Sequence, residues 1–162
     1  MKTDYDKNWG SHLPLLIKAM SLTKGSVLEM GMGLYSTPFL HWACYKERIL
    51  VSYDNNLEFF EINKQYHEGL HEVYLVKDWK EANIDKPWDV ALIDHSPSER
   101  RLEDIKRLAP FVKYMVIHDT QRGLRFCDWR QVWPLFKYRY DYTQAIPYTS
   151  VVSNFIDVNT IL

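Results

Sequence analysis

Glu29-Met30-Gly31-Met32-Gly33 stands directly after the apolar pair Val27-Leu28, and Asp54 closes the next apolar run. Two glycines in a turn let the backbone approach a ligand because no Cβ intervenes. A carboxylate one strand later can accept hydrogen bonds from both hydroxyls of a ribose. Three further acids follow short apolar runs: Asp78, Asp94 and Asp119. The last two each adjoin a histidine, in Asp94-His95 and His118-Asp119. Carboxylates suit divalent cations, and imidazoles exchange protons near neutral pH. Two chemistries are thus written side by side: holding an adenosine, and coordinating or deprotonating a neighbour.

The glycine turn departs from a dinucleotide site. G-x-G-x-x-G asks for a third glycine where this chain has Ser36. Glu29 would repel a pyrophosphate but attract an ammonium group. An acid followed by G-x-G, with a second acid after the next strand, resembles the class I S-adenosylmethionine (SAM)-dependent methyltransferases. SAM carries an ammonium and a sulfonium and no phosphate. The resemblance covers nearly the whole chain. It implies Glu29 near the methionine end, Asp54 at the ribose and Asp78 at the adenine amino group, with Trp79 stacked on the adenine. Gly31, Gly33, Tyr35, Ser36 and Asp94 complete the expected cofactor set. Plainer roles stand beside these: a tight turn for the glycines, helix caps for Asp54 and Ser36, a variable loop for Asp78 and Trp79.

Val90 to Arg101, VALIDHSPSERR, is similar to the strand-4 segment of catechol-type, metal-dependent O-methyltransferases. That resemblance implies Asp94 and Asp119 as ligands of a divalent metal such as Mg²⁺, which would hold the substrate oxygens and lower a hydroxyl pKa. The match is incomplete. Thr120 stands where those enzymes have Asn, and no lysine lies near Pro97 to act as base. The expected catalytic residues are therefore Asp94 with His95 or His118, histidine being suited to the task by its pKa. Either histidine could equally be a packed residue. His12 could fold over this rim but is not counted in the site. His41, His67 and His71 read as surface residues, and Trp129, Trp133 and Phe136 as core.

The elements that must carry these residues alternate between strand and helix, which predicts an α/β domain. Residues 11 to 22 read as a helix, 26 to 30 as the first strand, then a helix capped by Ser36 or Thr37 with Pro38 in its first turn. Strands follow at 49 to 53, 73 to 76, 90 to 93 and 114 to 117, with helices at 57 to 70, after a capping box at Ser96 to Glu99, and near 128 to 136. Segments 137 to 144 and 149 to 156 read as a terminal hairpin. The resemblance implies a Rossmann-like, mostly parallel seven-stranded sheet of order 3-2-1-4-5-7-6, flanked by helices.

At 162 residues the chain reads as a single domain, 1 to 162. No apolar run approaches the ~18 residues of a membrane span, and the polar start lacks a secretion signal. Cys44 and Cys127 form neither a metal spacing nor a disulfide framework, so a reduced, cytoplasmic protein is expected. The net charge of -1 makes nucleic acid an unlikely partner. Arg100, Arg101, Lys106 and Arg107 read as solvated helix surface. The expected function is SAM-dependent methyl transfer to a small-molecule acceptor, at a hydroxyl oxygen, with or without Mg²⁺. The pocket is either open or completed by a homo-oligomer partner. The alternatives are a SAM- or nucleoside-binding protein of aminopropyl-transferase type, or a non-catalytic partner subunit.

Overall fold

The computed structural model describes residues 7 to 121, 127 to 159 and 161. Seven strands form one sheet: β1 (Val27–Met30), β2 (Leu50–Asp54), β3 (His71–Leu75), β4 (Trp88–Ile93), β5 (Val112–His118), β6 (Tyr138–Tyr142) and β7 (Thr149–Ser153). Their order is β3-β2-β1-β4-β5-β7-β6, as the resemblance implied. β1 to β5 are mutually parallel, and β7 pairs antiparallel with both β5 and β6. Four α-helices accompany them: α1 (Leu13–Ser21), α2 (Ser36–Cys44), α3 (Leu57–Asn63) and α4 (Arg100–Leu108).

The central strands read as unbroken apolar runs because both sheet faces are covered. In β4, Val90 and Leu92 face α1 and α2, packing with Leu15, Leu16 and Leu40. Ala91 and Ile93 face the other way, onto α4 and the indoles of Trp79, Trp88 and Trp129.

Several local expectations are corrected. The helix from residue 57 stops at Asn63, continues as a 3-10 turn over Lys64–Tyr66, and leaves Leu70 exposed. Gly69, at φ +61, turns the chain into β3. The Ser96–Glu99 capping box does not form: α4 starts at Arg100, Glu99 makes no side-chain cap, and the Ser96 carbonyl accepts from the Trp79 indole. Neither Ser36 nor Thr37 caps α2; the N-cap is Tyr35, and the Thr37 hydroxyl turns inward to Glu29. Residues 129 to 135 make two 3-10 turns, since Pro134 supplies no amide for a longer helix.

Candidate functional site

Because β1, β2, β4 and β5 are parallel, their C-terminal ends share one rim. A cleft of about 470 Å³ opens there, within the range of small-molecule sites.

The glycine turn after β1 forms one side of the cleft. Gly31 has φ +91, and a Cβ there would lie 2.6 Å from the Asp94 carbonyl carbon and the His95 nitrogen. Its missing side chain serves the approach of the β4 terminus rather than of a ligand alone. Asp54 clips this turn to β2: one carboxylate oxygen accepts from the Met32 amide at 2.7 Å and the other from the Asn56 amide at 2.7 Å. Burial pushes its carboxyl above the usual value, against those amide bonds. The Asn55 amide also reaches this carboxyl, which keeps acceptor capacity for a further donor.

Glu29 lies under the turn, fully buried, and does not line the cleft. It accepts from Thr37 Oγ1 at 3.0 Å and from Ser52 Oγ at 2.6 Å, and Thr37 Oγ1 in turn accepts from the Gly33 amide. Burial raises its carboxyl from 4.5 to about 7, outweighing the hydroxyls of Ser52, Ser36 and Thr37. Behind it stand two histidines. Since Ser52 spends its proton on Glu29, it accepts from His71 Nε2, 2.9 Å away. Burial lowers His71 to about 4, so the ring is neutral and its Nδ1 accepts from His41 Nδ1 at 3.1 Å. His41 and His71 are thus buried, not the surface residues expected; their partners are too distant in sequence to be read there.

Across the cleft, Asp94 follows β4 and His118 ends β5. Asp94 Oδ1 lies 3.0 Å from His118 Nδ1 and accepts from Arg101 at 3.1 Å. Burial alone would raise this carboxyl, but His118 and then Arg101 hold it below the ordinary range. Asp94 conversely raises His118 against the effect of burial. Ser11 donates to the Pro147 carbonyl at 2.8 Å and so accepts from His118 Nε2 at 2.8 Å. His12, at the N-terminus of α1, sets its Nδ1 4.0 Å from Asp94 Oδ2 and its ring edge-on to His118. Sequence reasoning left His12 out and missed Ser11.

Arg101 is the largest omission. Expected on the surface, it is 3% exposed. It donates to Asp94 and Asp119 and to the carbonyls of His95 and His118. Its spacing to Ile105 and Leu108, four and seven positions on, placed it on the buried face of α4, which was the available signal. Arg101 occupies the bridging position between Asp94 and Asp119. Thr120, the other ligand position, is committed to Ser150 at 2.8 Å. These residues do not offer an oxygen cage for Mg²⁺.

His95 lines the cleft with its ring edge tied elsewhere. Nε2 meets Asp104 at 3.1 Å, and the ring lies 4.2 Å from Trp79. Burial lowers its pKa despite Asp104. Trp79 is 3% exposed beneath this residue, and Asp78 is exposed and caps its own 3-10 turn through the Lys80 amide. Neither lines the cleft. Ser36 is buried behind the turn, while Tyr35 lines the opening and packs on Gly10. The outer walls are residues the sequence did not point to: Trp9 and Phe59 on one side, Ile146 and Pro147 of the β6–β7 loop on the other.

No protein-family model matches the chain, and no curated protein sequence matches it. Solved structures do. An O-methyltransferase from Bacillus cereus, in complex with S-adenosylhomocysteine (SAH), superposes with TM-score 0.63 at 15% identity, over 94% of this chain and 84% of that one. The N-methyltransferase NodS from Bradyrhizobium japonicum, also with SAH, gives 0.62 at 11%, over 92% and 87%. Monomeric WbdD gives 0.65 at 15% over 94% of this chain. WbdD is a bifunctional kinase-methyltransferase, and this chain spans only 42% of its length. Among the described residues, no helix is long and apolar enough to cross a membrane. With its strand order and the site at the strand ends, the chain has the fold of the SAM-dependent methyltransferases.

Proposed function

We propose that the protein is an enzyme that transfers a methyl group from SAM to a hydroxyl of a small-molecule acceptor. The observation that carries this reading is the juxtaposition in one cleft of the Asp54-clipped glycine turn and the Asp94–His118 couple. SAM supplies an electrophilic methyl on its sulfonium. Asp54, with its remaining acceptor capacity, would take a ribose hydroxyl, and the 31 to 35 turn would border the methionine end. Glu29 supports that turn through Thr37 rather than touching the ligand. Asp94 Oδ2 accepts no hydrogen bond from a described residue and faces the cleft beside His12. Held ionised by His118 and Arg101, it is placed to accept a hydrogen bond from the acceptor hydroxyl and to receive its proton as the oxygen–methyl bond forms. Trp9 and Ile146 would bracket the acceptor. Positioning does most of the remaining work.

The expected Mg²⁺ between Asp94 and Asp119 has no place in this mechanism, because Arg101 already joins the two. The test is calorimetric titration with SAM and SAH, followed by an SAH-release assay against catechols and vicinal diols. Asp54→Ala should weaken SAM at least about tenfold, and Asp94→Asn should spare SAM binding while slowing turnover about 10²-fold or more. Failure to bind either ligand would sink the reading. Binding without turnover on any hydroxyl would favour a non-catalytic or aminopropyl-transferase-like role.

A further inference from the structure

We propose that His12, Asp94 and His118 form a binding site for a divalent first-row transition cation. One ligand atom from each lies within 4.8 Å of the other two. Both His12 nitrogens are buried and, among the described residues, lack a hydrogen-bond partner, in a side chain only 2% exposed. An unpaired buried imidazole is costly and calls for a partner. The nearest one is Asp94 Oδ2, at 4.0 Å from Nδ1, too far for a hydrogen bond.

His118 is oriented to offer the second imidazole nitrogen. Ser11 gives its proton to the Pro147 carbonyl, so His118 Nε2 must carry hydrogen. Nδ1 then faces Asp94 Oδ1 at 3.0 Å and shares a proton with it, which a cation bound by Nδ1 and Oδ2 would displace. Ser11 thereby orients the ring as an outer partner orients a metal-bound histidine. Metal–ligand bonds of about 2.0–2.2 Å put ligand atoms roughly 3–3.5 Å apart, so the three side chains need to close by about 1–2 Å at most. Two imidazoles and one carboxylate favour Zn²⁺, Co²⁺ or Fe²⁺ over Mg²⁺ or Ca²⁺. Arg101 takes Asp94 Oδ1 and leaves Oδ2 for the cation. A cation here would take Asp94 Oδ2 out of the proton-accepting role and would instead lower the pKa of the acceptor hydroxyl as a Lewis acid. That consequence rests on the methyl-transfer reading; cation binding itself does not.

The experiment titrates EDTA-stripped protein, without SAM, with Co²⁺ by visible absorption and with Zn²⁺ by calorimetry. The expected result is a single cation per chain, weakened about tenfold or more by His12→Gln and by His118→Gln and changed little by Asp119→Asn. Thermal melts establish that the variants fold. Should either variant unfold, proton NMR of the wild-type Co²⁺ form decides, by showing strongly shifted ring signals from two histidines. Absence of binding, binding unaffected by His12→Gln in a folded variant, or shifted signals from fewer than two histidines would overturn the site. A parallel SAM titration separates the two proposals: SAM binding without cobalt binding removes only the cation site, and the reverse removes only the methyl-transfer reading.

Discussion

Gly31 and Glu29 show how the first motif acts at the level of single residues. Gly31→Ala would force a Cβ against the Asp94–His95 peptide from a left-handed backbone. It should destabilise the fold by about 2–5 kcal/mol in urea titrations, combining strained φ with overpacking. Glu29 behaves differently, through its proton. Its folded-state pKa of about 7 lies above the ordinary 4.5, so its contribution to stability is complete below about 4.5 and drains away as pH rises through about 7. Glu29→Gln removes that dependence. Relative to wild type, it should gain about 2–3 kcal/mol between pH 5 and pH 8, measured by denaturant unfolding at both. A constant difference at the two pH values would contradict the raised carboxyl. His71 works in the opposite sense: lowered to about 4, it withdraws stability as pH falls from about 6.5. Both glycines and both acids of the motif were visible in the sequence. Their partners Ser52, His71 and His41 were not, since each sits on a different element and becomes a neighbour only when the sheet forms.

Among the elements, α4 does more than cover the sheet. Through Arg101 it ties the ends of β4 and β5 together, and through Arg100 and Arg107 it surrounds the buried Asp104 that holds His95. Arg101→Met should cost about 2–4 kcal/mol, because Asp94 and Asp119 are left facing one another with less compensation. Arg101→Lys should recover only part of this, as one ammonium cannot replace the forked donors. Urea midpoints of the two variants check the ranking. The strands were legible to within two or three residues at their ends, and the central ones, buried on both faces, are written as continuous apolar runs. β3, read from Val73, starts at His71, and β7, read to Ile156, stops at Ser153. Helix starts were less so. At Ser96 to Glu99 a capping pattern was present, but the Trp79 indole claimed the Ser96 carbonyl and α4 began at Arg100. Asp78 and Trp79 were misplaced for a related reason: strand-end position alone does not say which way a loop folds, and this one folds under His95.

Over the whole molecule, the cleft divides into a floor and walls of different origin. The floor consists of strand ends, locked by Asp54, Arg101 and the Glu29 hydrogen bonds. The walls come from the 3-10 turn Lys7–Gly10, Phe59 of α3 and the β6–β7 loop, segments far apart in sequence. Trp9→Ala should raise the acceptor KM about tenfold while leaving SAM affinity and unfolding free energy within about 1 kcal/mol of wild type. Loss of SAM affinity in that variant would place the cofactor against the wall instead. The exposed positions of Trp9 and Ile146 have a consequence for specificity. Under the methyl-transfer reading, exchanges in these two segments would change the acceptor the cleft admits while the strand ends, bound by their mutual ties, keep their geometry.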